Sequence, residues 1–204
     1  MILIQNGRVL DPVTNTDQVM DVLLDESGIV KTGEHLEAEG ADVIDASGLV
    51  VAPGLMDAHV HFRYPGLTYK EDIFTGAAAA ARGGFTTVVC MANTKPTVDN
   101  VETLNLVQKK GEKALIHVLQ AAAISKGLKG EELTDMEALA EAGAAGFPDD
   151  GIPLMDEKLI VSAMEKAKEL GLPLAFHEED PALMSEPGVH KGAVAEKIGY
   201  GGAA

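Results

Sequence analysis

The chain has 204 residues, 46% of them hydrophobic and 24% charged, the balance of a soluble globular protein able to bury a real core. Its net charge of −16 argues against a nucleic-acid partner, because a phosphate backbone needs a basic footprint; an anionic ligand would have to be held by local cations against the global field. No run of 18 apolar residues offers a membrane span, the opening Met1–Gly7 is too soon broken for a signal peptide, and a single cysteine, Cys90, excludes an internal disulfide framework and fits a reducing cytoplasm.

Residues 1–53 read as short strands at Ile2–Ile4, Arg8–Leu10, Val19–Leu24, Ile29–Val30 and Val43–Ile44, separated by turn residues such as Asp11-Pro12 and Ser27-Gly28. They form a small β module. From Leu49 the rhythm changes to strand, helix, strand. Apolar runs at Val50–Val60, Phe85–Met91, Ala114–Ala123, Ala144–Phe147 and Leu172–Phe176 predict buried parallel strands. Between them, Thr68-x-x-Glu71 predicts a capping box opening an Ala-rich helix that stops at Gly83-Gly84. A second helix is expected from about Val98 to Lys110, and Thr134-x-x-Glu137 predicts the cap of a third ending at Gly143. A fourth aligns Leu159, Ala163, Ala167 and Leu170 on one face and stops at Gly171.

Alternating strands and helices imply parallel strands joined by right-handed crossovers, in an open doubly wound sheet or a (β/α)8 barrel. No G-x-G-x-x-G follows the first of these strands, which weakens the nucleotide-binding version, and polar residues at the strand ends favour the barrel. His59 and His61 end the first strand, where residues i and i+2 share a face and can reach one ion. Asn93 ends the second, Asp149-Asp150-Gly151 the fourth and His177 the fifth. In a barrel all these ends meet on the C-terminal face, and three histidines with a carboxylate suit Zn²⁺. Strand alternation lets only one of Asp149 and Asp150 point inward. Mid-strand His117 is expected in the core or barrel interior, Cys90 buried, His35 solvated and His190 on a loop.

Val51-Ala52-Pro53-Gly54-Leu55-Met56-Asp57-Ala58-His59-Val60-His61 resembles the entry motif of the amidohydrolase superfamily. His61-Phe62-Arg63-Tyr64-Pro65-Gly66 resembles the H-x-R-x-P-G of dihydroorotases, Met91-Ala92-Asn93-Thr94-Lys95-Pro96 their M-P-N-T-x-P, and Asp149-Asp150-Gly151 the D-D-G of the class I bacterial type. The resemblance runs through all 204 residues. It implies a (β/α)8 TIM barrel of the amidohydrolase type, present as about five βα units in residues 54–204, behind the N-terminal part of a small β-sandwich module in residues 1–53. It also implies two zinc ions, with His59 and His61 on the first, Asp150 bridging both and His177 on the second, and with Arg63 and Asn93 holding a substrate carboxylate. A guanidinium fork suits that task. Tyr64, Ala92 and Glu178 depart from the family's usual Glu, Pro and Cys.

The implied reaction is reversible hydrolysis of L-dihydroorotate to N-carbamoyl-L-aspartate, in pyrimidine biosynthesis, by a cytoplasmic homo-oligomer. The resemblance places the general acid/base Asp and a further His ligand beyond residue 204, so the chain reads as incomplete at its C-terminus. Hydantoinases, dihydropyrimidinases and allantoinases resemble this fold but bridge their metals with a carboxylated lysine from the fourth strand, and no lysine lies between Gly130 and Gly151. Two alternatives stand beside the dihydroorotase reading: another cyclic amidase, and a non-catalytic scaffold for aspartate transcarbamoylase.

Overall fold

The computed structural model describes residues 1–182, 189–199 and 202–203, and the chain divides into two compact units, Met1–Gly54 and Leu55–Ala204. In the first unit, β1 (Ile2–Asp11), β2 (Thr16–Asp25), β3 (Gly28–Gly33) and β4 (Asp42–Asp45) lie in the order β3-β2-β1-β4, and β5 (Val50–Val51) also pairs with β1. Strands β1, β2 and β3 form an antiparallel meander, while β4 and β5 run parallel to β1. The turns are built by aspartates: Asp11 accepts the Val13 amide at 2.9 Å and Asp25 accepts the Ser27 amide at 2.7 Å. What the sequence splits into Ile2–Ile4 and Arg8–Leu10 is one strand with a register shift between Ile4 and Gly7. Leu3, Val22, Leu36 and Ala46 are the buried apolar residues of this unit. Asp21 is buried with them, its Oδ1 accepting the Asn6 amide at 2.8 Å and its Oδ2 the Leu36 amide at 2.9 Å.

The second unit opens with β6 (Leu55–Val60), α1 (Ile73–Arg82), β7 (Phe85–Cys90), α2 (Val101–Gly111) and β8 (His117–Gln120), the three strands pairing in parallel in that order. There follow α3 (Met136–Glu141), β9 (Phe147–Pro148), α4 (Glu157–Leu170), β10 (Leu174–Ala175), β11 (Val189–His190), α5 (Ala193–Ile198) and β12 (Gly202–Ala203). The ninth and tenth strands pair in parallel, as do the eleventh and twelfth. Backbone bonds from Ala145 to the Gln120 carbonyl (2.9 Å) and from Ala122 to the Gly146 carbonyl (3.0 Å) carry the β8 side across to β9. Phe62, Ile73, Val88, Leu104, Ile124, Leu139, Phe147 and Ala163 share one core between helices and strands. Gly76 is required there: a Cβ on α1 at that point would collide with the Phe62 ring. No helix among the described residues is long and apolar enough to cross a membrane.

Several expectations are corrected. The run Val50–Val60 is two strands in two units, broken at Ala52-Pro53-Gly54, where proline cannot donate to a ladder. Helix α1 is capped not by Thr68 but by Asp72, whose side chain accepts the Phe74 amide at 2.9 Å and whose box partner is Thr75. Asp135 caps α3 through the Ala138 amide, and the Thr134 hydroxyl is instead donated to the Ala123 carbonyl at 2.8 Å. Only His117–Gln120 of the Ala114–Ala123 run is strand, and His117 is exposed rather than interior. Leu55 and Met56, expected buried, are 54% and 58% exposed. His190, expected on a loop, sits in β11.

Candidate metal centre

The end of β6 and the loops that follow β6, β7, β9 and β10 carry the side chains of interest. His59 lies in β6 and His61 just past it, and the two rings meet edge to face with centroids 5.2 Å apart. Both face Asp150, whose side chain is 11% exposed: His59 Nε2 stands 3.2 Å from Oδ1 and His61 Nε2 stands 3.4 Å from Oδ2. One ligand-type atom from each of His59, His61 and Asp150 falls within 4.8 Å of the others. His177, two residues beyond β10, presents Nδ1 to Asp150 Oδ1 at 3.8 Å and lies outside that tighter group. The sequence-predicted ligands thus come together around one carboxylate, with His177 the most distant.

The donor set of imidazoles and a carboxylate fits a metal ion. Asn93 Oδ1 lies 3.0 Å from His61 Nδ1, so a proton on Nδ1 leaves the Nε2 lone pair facing Asp150. Burial lowers the His61 pKa below the ordinary histidine range, with Asp150 opposing and Arg63 reinforcing the shift; the neutral ring is the form that ligates metal. The other end of the Asn93 amide donates to Asp150 Oδ2 at 2.6 Å. Asn93, expected to face substrate, therefore has its amide engaged between His61 and Asp150.

Asp149 and Asp150 follow the end of β9 and diverge. Asp149 is 2% exposed and directs its carboxylate to the backbone amides of His177 and Leu154, not to the imidazoles. Arg63 holds φ at 57° and enters no ion pair among the described residues. Its loop is tied to the next by the Lys95 amide, which donates to the Pro65 carbonyl at 3.1 Å. Sequence reasoning missed Glu179, whose carboxylate meets His177 Nε2 at 2.8 Å; an acidic residue two positions after a ligand-type histidine was the available signal. It also missed Lys110, paired with Asp72 at 2.5 Å and lying 3.9 Å over the Tyr64 ring, which braces the loop carrying Arg63. His117 and the exposed His190 are not among the clustered residues.

Against known proteins, the family model described as dihydro-orotase-like matches residues 48–203. The chain is 60% identical over 204 residues to a dihydroorotase of Clostridioides difficile strain 630, covering 100% of this chain and 48% of that protein. It thus spans about half the length of the curated relatives it matches. Among solved structures, the L-hydantoinase (dihydropyrimidinase) of Arthrobacter aurescens superposes with a TM-score of 0.75 at 19% identity, over 89% of this chain and 41% of that one. A D-hydantoinase superposes with a TM-score of 0.71 at 29% identity, over 89% and 40%. These likenesses agree with the mixed α/β fold, and the chain belongs to the dihydro-orotase-like family.

Proposed function

We propose that the protein containing this chain is a zinc-dependent dihydroorotase, interconverting L-dihydroorotate and N-carbamoyl-L-aspartate in the cytoplasm. The observation that carries the reading is the convergence of His59, His61 and His177 on the one carboxylate of Asp150. Two zinc ions are proposed, His59 and His61 holding one, His177 the other, and Asp150 shared between them. Bound zinc supplies Lewis acidity toward water and the amide carbonyl at neutral pH. Asn93 fixes the His61 tautomer through Nδ1 and steadies Asp150 through Oδ2. Arg63 offers its fork to the substrate carboxylate, a task that its lack of an ion pair among the described residues supports. In an anionic protein that local cation also sets the orientation of an anionic ring.

Residues 54–204 are proposed as the first five βα units of an amidohydrolase barrel, and residues 1–53 as the N-terminal part of a β-sandwich. The hydantoinase reading is disfavoured because the position facing the histidines is Asp150, with no lysine from Gly130 to Gly151. The test is Asp150→Asn in the full-length protein. Zinc content and dihydroorotate turnover should fall together, while hydantoin and allantoin are poor substrates of the unaltered protein. Retained zinc and turnover, or faster turnover of hydantoin, would overturn the reading.

A further inference from the structure

Asp149 precedes the site carboxylate but does a different job. The residue is 2% exposed, and its two carboxylate oxygens each accept a backbone amide: Oδ1 from His177 at 2.6 Å and Oδ2 from Leu154 at 2.8 Å. Its own amide donates to the Ala175 carbonyl at 3.3 Å, and its carbonyl accepts the Ile152 amide at 3.1 Å. One residue therefore joins the end of β9, the turn at 151–154 and the chain leaving β10. That last link matters because β10 ends at Ala175, and His177 lies beyond its ladder. Charge-assisted bonds of this kind are the stronger class of backbone contact.

We propose that Asp149 is a positioning residue that sets His177 in place before any metal arrives, and so sets the affinity of the ion His177 holds. The inference rests on the reading of His177 as a metal ligand. Glu179 completes the arrangement by engaging Nε2, which leaves Nδ1 as the ring atom toward Asp150. Without the Asp149 clamp, metal binding itself would have to order the His177 segment, and the affinity would drop by that ordering cost. Asparagine at this position has one acceptor oxygen and one NH₂, so it cannot satisfy both amides.

A matched control exists in the first unit. Asp21 is likewise buried and clamps two amides, those of Asn6 and Leu36, in a unit that contributes none of the clustered residues. The experiment measures zinc affinity of the full-length protein against a chelator series for the parent, H177A, D149N and D21N, with hydrogen exchange of the metal-free parent across residues 176–178. H177A should lose one class of zinc site. D149N should weaken that same class by roughly 10–100-fold and leave the other unchanged, the scale found for residues that support a ligand. D21N should lower stability with zinc affinity intact, and the His177 amide should be protected before zinc is added. Parent-like zinc affinity in D149N would overturn the inference, as would a His177 amide that exchanges freely until zinc arrives. The exchange result decides the matter alone if D149N does not fold. A parent that binds no zinc, or H177A with both classes intact, would overturn the metal reading and this inference with it.

Discussion

Asp72→Ala should loosen the support beneath the Arg63 loop, and the structure allows its cost to be apportioned. Asp72 is the N-cap of α1, accepting the Phe74 amide at 2.9 Å, and it pairs with Lys110 at 2.5 Å. Loss of a cap costs about 1 kcal/mol. The ion pair, with side chains 23% and 25% exposed, adds up to about 1 kcal/mol. Asp72→Ala should therefore cost about 2 kcal/mol, whereas Asp72→Asn, as good a cap but uncharged, should cost about half of that. Burial alone would raise the Asp72 pKa, but the bonds from Lys110 and the Phe74 amide lower it on balance. A lowered carboxyl stabilises the fold above its unfolded pKa of about 3.9, and that contribution is lost as pH falls through the folded-state value. The difference between Asp72 and its Asn variant should thus be full at neutral pH and shrink in acid. Urea unfolding of the full-length protein at both pH values, with Lys110→Met to close a double-mutant cycle, measures each part. Equal losses for the Ala and Asn variants, or a difference that grows in acid, would refute the reasoning.

Arg63→Met should lower kcat/KM for dihydroorotate by about 2–4 kcal/mol with zinc content unchanged, the scale of removing one partner from a desolvated charge pair; unchanged kinetics would remove Arg63 from carboxylate binding. Cys90 is buried and burial pushes its thiol up to about 12, so a thiol reagent at pH 8 should label it only in denaturant. Gly66→Ala should destabilise by at least about 1–2 kcal/mol, because φ there is 80° and a Cβ would run into the Lys95 carbonyl oxygen; the same urea titration reads it, and parent-like stability would contradict the close packing of these two loops.

Local chemistry by itself determined much of this chain. The turns at Asp11 and Asp25, the stop of α4 at Gly171 with φ 66°, and the proximity of His59 and His61 all follow from interactions within a few residues. The alternation of strands and helices from β6 to β10 was equally legible, because apolar runs and glycine stops recur along it. The caps of α1 and α3 were not, since Thr68 and Thr134 carry the right side chains but the backbone turns helical only after Asp72 and Asp135. Nor could alternation decide between the adjacent aspartates. Strand β9 ends at Pro148, so both lie in a loop, and it is the backbone amides of His177 and Leu154 that draw Asp149 away while Asp150 turns to the imidazoles. Lys110 became visible only through Asp72 and Tyr64, which the fold brings to it, whereas Glu179 stands two residues from its partner His177. A side chain's contacts within one turn are written in its neighbours; contacts across strands exist only once the tertiary structure has placed the distant amide, ring or carboxylate beside it.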